Sequence, residues 1–130
     1  MYAKNLIQIP QTYANDGQHK EQMYRYTVTG KLCKADNKRG ADCEGVQIKS
    51  ARATICKGTD IAAFVATDDA MAYAYVSNEG VAYVMTPAEY VEFATLFATA
   101  TQESTKNGGA VKMRFKSEGR ALMQYLHARV

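Results

Sequence analysis

Lys38-Arg39-Gly40-Ala41-Asp42-Cys43-Glu44-Gly45-Val46-Gln47-Ile48-Lys49-Ser50-Ala51-Arg52-Ala53-Thr54-Ile55 is the stretch on which the reading of this chain turns. It opens basic and glycine-punctuated, places an acid at Asp42, turns at Glu44-Gly45 and then runs extended. From Val46 the residues alternate, and a period of two sets Gln47 and Lys49 on one face. A strand buried for structure alone carries apolar residues at such positions. An amide and a lysine beside an acid are costly to bury unless they share a task. The pattern predicts a short strand near residues 41–43, a tight turn at Gly45 and one strand over residues 46–56.

Upstream, residues 1–14 are weakly patterned, with Ile7, Ile9 and Pro10 suggesting an extended arm. Asn15 and Gln18 have capping-box spacing, and Met23 and Tyr26 lie three apart. A helix of about four turns is expected there, ending near Gly30, with Glu21 in its first or second turn. The β-branched run Thr27-Val28-Thr29 weakens its far end.

Downstream, Lys57-Gly58-Thr59 breaks the strand, and residues 60–67 read equally as a helix capped by Thr59 or as another strand. Residues 70–76 alternate small with large, as a strand with one packed face does, and residues 81–85 complete a hairpin across a turn at 77–80. Thr86 and Glu89 again have capping-box spacing, with Pro87 at the first helical position. The helix that follows is expected to bury Tyr90, Phe93, Ala94 and Phe97 and to fade near Thr101. Residues 111–116 form a strand with Lys112, Arg114 and Lys116 on one face. Ser117 opens a last helix, with Leu122, Tyr125, Leu126 and Val130 inward. The expected whole is one α/β domain over residues 1–130.

The net charge of +3 conceals an asymmetry. Residues 58–105 hold seven acids and no Lys or Arg, residues 31–57 seven bases against three acids, and residues 106–130 six bases against Glu118. If the two basic segments lie side by side, they make a face suited to a polyanion; if scattered, they only solubilise. No apolar run suits a signal peptide or a bilayer span, so a cytoplasmic protein without membrane contact is expected. Cys33, Cys43 and Cys56 form no C-x-x-C pair and stand far from His19 and His127, so free thiols are expected rather than a disulfide scaffold or a zinc site.

Phosphodiester cleavage asks for a metal held by oxygen ligands, a polarised water and positive charge near the scissile phosphate. Asp42 offers a carboxylate, Gln47 an amide oxygen beside the Ile48 carbonyl, and Lys49 a cation to orient water and offset charge. Glu21 adds an acid from the first helix. On these residues the chain resembles the PD-(D/E)XK nuclease superfamily over Gly17 to about Phe115: Gly17-Gln18-His19-Lys20-Glu21 at a helix start, Asp42, then Gln47-Ile48-Lys49 in a strand.

The resemblance implies a restriction-endonuclease-like mixed sheet flanked by helices. It also implies a catalytic set of Asp42, Gln47, Lys49 and Glu21, of which Asp42, Gln47 and Glu21 hold Mg²⁺ (or Mn²⁺). It departs from the family pattern in having no Pro before Asp42, a short Asp42-to-Gln47 gap, and Gln where Glu is commoner. Asp36 and Glu44 are the alternative carboxylates. The expected function is a small metal-dependent DNA endonuclease, phage or mobile-element encoded and acting as a homodimer. Arg39, Arg52, Lys112, Arg114 and Lys116 are the expected phosphate contacts. The alternatives are a non-catalytic nucleic-acid-binding module on the same fold and a protein-interaction module.

Overall fold

A computed structural model describes residues 1–10, 16–32, 42–102 and 109–130. The first helix, α1, spans Asp16–Thr29, with Asp16 in its first turn where a carboxylate complements the helix dipole. Its expected capping residue, Asn15, lies outside the described residues. The β-branched run does not end it early: Thr27 and Thr29 donate their hydroxyls to the carbonyls of Met23 (2.7 Å) and Arg25 (2.8 Å). Gly30, at φ +72°, then stops it.

Of the expected strand at residues 41–43, only Cys43 is seen pairing, as an isolated bridge to Val46; Ala41 lies outside the described residues. The turn between them is Glu44-Gly45, with φ of +50° and +82°, the pair of positive values that a two-residue type I′ hairpin demands. A Cβ at Gly45 would sit 2.9 Å from Met71 Sδ. Replacing Gly45 with Ala therefore combines a strained φ with a clash, and a loss of about 1–2 kcal/mol is expected. A urea midpoint unmoved by Gly45→Ala would contradict this.

The single strand expected over residues 46–56 is two. β1 (Tyr2–Asn5) opens the chain, β2 covers Val46–Ser50 and β3 covers Thr54–Lys57, and β2 and β3 belong to different sheets. Between them Ala53 N–H donates to the Ser50 carbonyl (3.1 Å), and Arg52 takes φ +68°. That conformation is disfavoured for a bulky residue, so neighbours must hold it. The Arg114 guanidinium donates to the Arg52 carbonyl (3.3 Å), Arg52 Nε donates to the Lys116 carbonyl (3.2 Å), and Phe115 N–H donates to the Ala53 carbonyl (3.1 Å).

The rest follows in order: α2 (Ile61–Thr67), β4 (Ala72–Val76), β5 (Val81–Met85), α3 (Pro87–Phe97), β6 (Thr99–Gln102), β7 (Val111–Arg114) and α4 (Arg120–Arg129). The ambiguous 60–67 segment is helical, capped by Asp60, whose carboxylate accepts from Ala63 N–H (2.9 Å), not by Thr59. At α3 the Thr86–Glu89 capping box is formed in both directions, with Pro at the first turn. That helix stops at Ala98 instead of fading near Thr101, because Thr99-Ala100-Thr101-Gln102 pairs with β7 as a strand. Cross-strand pairing overrides the local helical pattern.

The architecture is mixed α/β with two sheets rather than one. The first is mixed, in the order β1-β5-β4-β2, with β2 parallel to β4 and the other pairs antiparallel. The second is antiparallel, β3-β7-β6. The alternation in β4 was expected to give one packed face, yet both are buried. Ala74, Val76, Ala82 and Val84 pack with Leu6, Ile48 and the α1 residues Met23 and Tyr24. Tyr73, Tyr75, Tyr83 and Met85 pack with Phe93, Phe115, Leu122 and Leu126 in the larger core. Small residues let the helix approach, and large ones fill the space beneath the second sheet. Val130, expected inward, is 54 % exposed, since it follows the last turn of α4. Cys43 and Cys56 are buried and take part in no disulfide, and Cys33 lies outside the described residues. No helix among the described residues is long and apolar enough to cross a membrane.

Candidate functional site

β2 is the last strand of the first sheet, so one of its edges has no partner strand in that sheet. The type I′ turn folds Asp42 back along that edge, where Asp42 N–H donates to the Val46 carbonyl (3.0 Å). The Asp42 carboxylate accepts from Ile48 N–H through Oδ2 (2.7 Å). Within a strand the N–H and C=O of one residue point to the same edge, so the Ile48 carbonyl is on Asp42's side too. The two-residue turn thus brings the acid beside the strand at Ile48.

From the helix side, the buried Arg25 guanidinium (1 % exposed) donates to the Asp42 backbone carbonyl. Glu21 lies one turn before Arg25, on the same face of α1. Burial is the main cause that pushes the Glu21 carboxyl above its ordinary range; the Asp42 charge adds to it, while Arg25 and Lys49 oppose it. Asp42 is pushed up mainly by burial, against the Ile48 N–H, Lys49 and Arg25, with Asp68 adding a smaller upward push. Glu21, Asp42 and Lys49, from three separate segments, are therefore close enough to feel one another's charge.

Gln47 stands apart from the cleft. It lies in register with Tyr73, on the face of β2 shared with Lys49, which is in register with Tyr75. The Tyr73 hydroxyl donates to Asp68 Oδ2 (3.0 Å), which carries a further acid to Gln47's side of the strand. Asp68 was missed by sequence reasoning. It ends α2, and only the β2–β4 pairing brings it near.

Glu21 and Lys49 line a cleft of about 620 Å³ with Lys20, Ser50, Arg52 and Ser117. Lys20 is only 3 % exposed and already satisfied, its Nζ bonded to Asn78 Oδ1 (2.7 Å) and paired with Asp16 (3.0 Å). Lys49 and Arg52 are the cleft's other cations. Glu118 accepts from Asn78 N–H (2.8 Å) and from the Tyr75 hydroxyl (3.2 Å), tying the Ser117 segment to the cleft wall. Arg52, Arg114 and Lys116 meet through the bonds that hold the Arg52 turn. Lys112 lies further along β7, opposite Lys57, so part of each basic segment does pair. Arg39 lies outside the described residues.

Among the described residues no three His, Cys, Asp or Glu side chains come together as a metal cage. The oxygens on offer are the Glu21 and Asp42 carboxylates and the Ile48 carbonyl, with the Gln47 amide on the neighbouring face. Two carboxylates and neutral oxygens suit a hard divalent cation such as Mg²⁺, which keeps water and takes substrate oxygens as further ligands. A cation there would also offset the burial of charge that is the main cause of both raised carboxyls.

The raised carboxyls carry a stability consequence. Both bind their protons more tightly in the folded chain than in the unfolded one. Between the ordinary carboxylate range and the raised values the folded state holds the extra proton, so their contribution to stability falls as pH rises through that window. Glu21→Gln is expected to melt at a higher temperature than the parent near neutral pH, with the gap closing in acid. Magnesium, if these oxygens hold it, would narrow the gap by stabilising the parent alone. Melting curves across pH test this, and a lower melting temperature for the variant at neutral pH would refute it.

Compared with known proteins, the chain matches no family model, no curated protein and no solved structure.

Proposed function

We propose that this protein is a small divalent-metal-dependent DNA endonuclease built on a restriction-endonuclease-like arrangement. The observation that carries the reading is the grouping at the open edge of β2. Asp42 is tied to Ile48 N–H, Lys49 follows on the same strand, and Glu21 comes in from α1. In the PD-(D/E)XK superfamily an acid, an E/Q-x-K strand and often a helix acid serve that chemistry, and the resemblance assigns those roles to Asp42, Gln47, Lys49 and Glu21.

A bound Mg²⁺ or Mn²⁺ would polarise water and a phosphate oxygen and would be held by Asp42, Glu21 and the Ile48 carbonyl. The chain's own residues do the rest. Asp42 is oriented by the Ile48 N–H and leaves its second oxygen for a ligand. Lys49 orients the attacking water and offsets charge developing on the phosphate. Arg52 lines the same cleft and contacts the neighbouring phosphate. A second copy of the chain would place two such sites on one duplex.

Gln47 favours a second reading, a nucleic-acid-binding module without catalysis, because it is neutral and does not line the cleft. Incubation with supercoiled plasmid separates the two. Nicked and linear DNA are expected with Mg²⁺ or Mn²⁺ and none with EDTA; intact plasmid under every metal leaves only the binding module.

A further inference from the structure

The second sheet has a face that the cleft chemistry does not use. β7 is its central strand, and the β7–β3 and β7–β6 registers set two rows across it: Lys57, Lys112 and Thr101, then Thr54, Arg114 and Thr99. Between these rows Cys56 and Met113 turn the other way, into the larger core. On β6 and β7 alternation puts both rows on the outer face. On β3 the register shift between Thr54 and Cys56, which turns Ile55 and Cys56 both inward, leaves Thr54 and Lys57 on that face as well. No acid occurs in any of the three strands. Lysines on an edge strand guard against unwanted pairing, but Lys112 and Arg114 stand on the middle strand, where no edge needs guarding. Cations and hydroxyls are the donors that phosphate oxygens take.

The face also joins the cleft. Arg114 donates to the Arg52 carbonyl, and Arg52 lines the cleft beside Lys49. Same-face residues on a strand lie about 6.7 Å apart, a step comparable to that between successive phosphates. We infer that this outer face binds the phosphate backbone of DNA, receiving the strand where it leaves the cleft past Arg52. The inference rests on the nuclease reading for its substrate class, and it adds Lys57 and the threonines Thr54 and Thr99 to the residues that meet DNA.

The test is binding of a short labelled DNA duplex by fluorescence anisotropy across a salt series, in EDTA so that no strand is cut. The double variant Lys57→Gln/Lys112→Gln is expected to flatten the slope of log K against log salt by about 0.9 for each phosphate that is no longer neutralised, so by nearly two units. The Lys57→Arg/Lys112→Arg protein is expected to keep the parent slope, and so is Lys4→Gln on β1, at the far edge of the first sheet. A slope unchanged in the glutamine variant overturns the proposal even if the protein cuts DNA. A flattened slope upholds it even if no metal supports cleavage, in which case the nuclease reading alone falls. A parent protein whose DNA binding is absent or insensitive to salt also overturns it.

Discussion

On the proposed nuclease reading, Lys49→Ala is expected to slow metal-dependent cleavage about 10²–10³-fold while DNA affinity changes little. The magnitude is that of losing one pre-positioned group that stabilises charge appearing only in the transition state. Lys49 also holds down the carboxyls of Glu21 and Asp42. Without it both rise further, so the residual activity should have its acid limb displaced to higher pH. That displacement separates a role in the site from a role in folding, since a folding defect lowers the amount of active protein without moving the profile. Single-turnover rates across pH, beside the parent, provide the measurement. Equal rates for the two proteins would remove Lys49 from the mechanism.

The second large effect concerns the core. Phe115 is fully buried, its ring 5.2 Å from that of Phe93 and 5.5 Å from that of Tyr75, centre to centre. It follows β7 directly, and its N–H donates to the Ala53 carbonyl in the turn between the sheets. Phe115→Ala is expected to cost about 3–5 kcal/mol, the range for emptying an aromatic site in a packed core. A domain of this kind has about 5–15 kcal/mol in total, so the variant should unfold at a much lower urea concentration. Phe115→Leu, which fills most of the volume, should recover more than half of that stability. A midpoint shift worth under about 1 kcal/mol for the alanine variant, far below the range for such a site, would show that the two sheets do not share this anchor. The same substitution should loosen the Arg52 turn, so a folded remnant would bind DNA less tightly.

Much of the fold was legible where the physics acts within a few residues. The Thr86–Glu89 capping box with Pro87, the stop at Gly30, the 77–80 hairpin and the Glu44-Gly45 turn each depend on a local conformational preference. The site was half legible for the same reason. Asp42 and Lys49 sit on either side of one short turn, so their nearness follows from it. Glu21 needed a helix to pack against that turn, and the pairing came from a family resemblance rather than from spacing. Asp68 carried no signal at all, because its approach depends on Tyr73 lying beside Gln47.

What the sequence by itself determined is three helices (α1, α3 and α4), the hairpins, the tight return of Asp42 to its strand and the segregation of charge along the chain, while α2 was left open. Only the tertiary structure decided that residues 46–56 break at Arg52 into two sheets, that residues 99–102 become a strand and that β4 is buried on both faces. The break has no Gly or Pro to announce it. It is held by Arg114, Phe115 and Lys116, some sixty residues away, and interactions of that separation leave no local pattern along the chain.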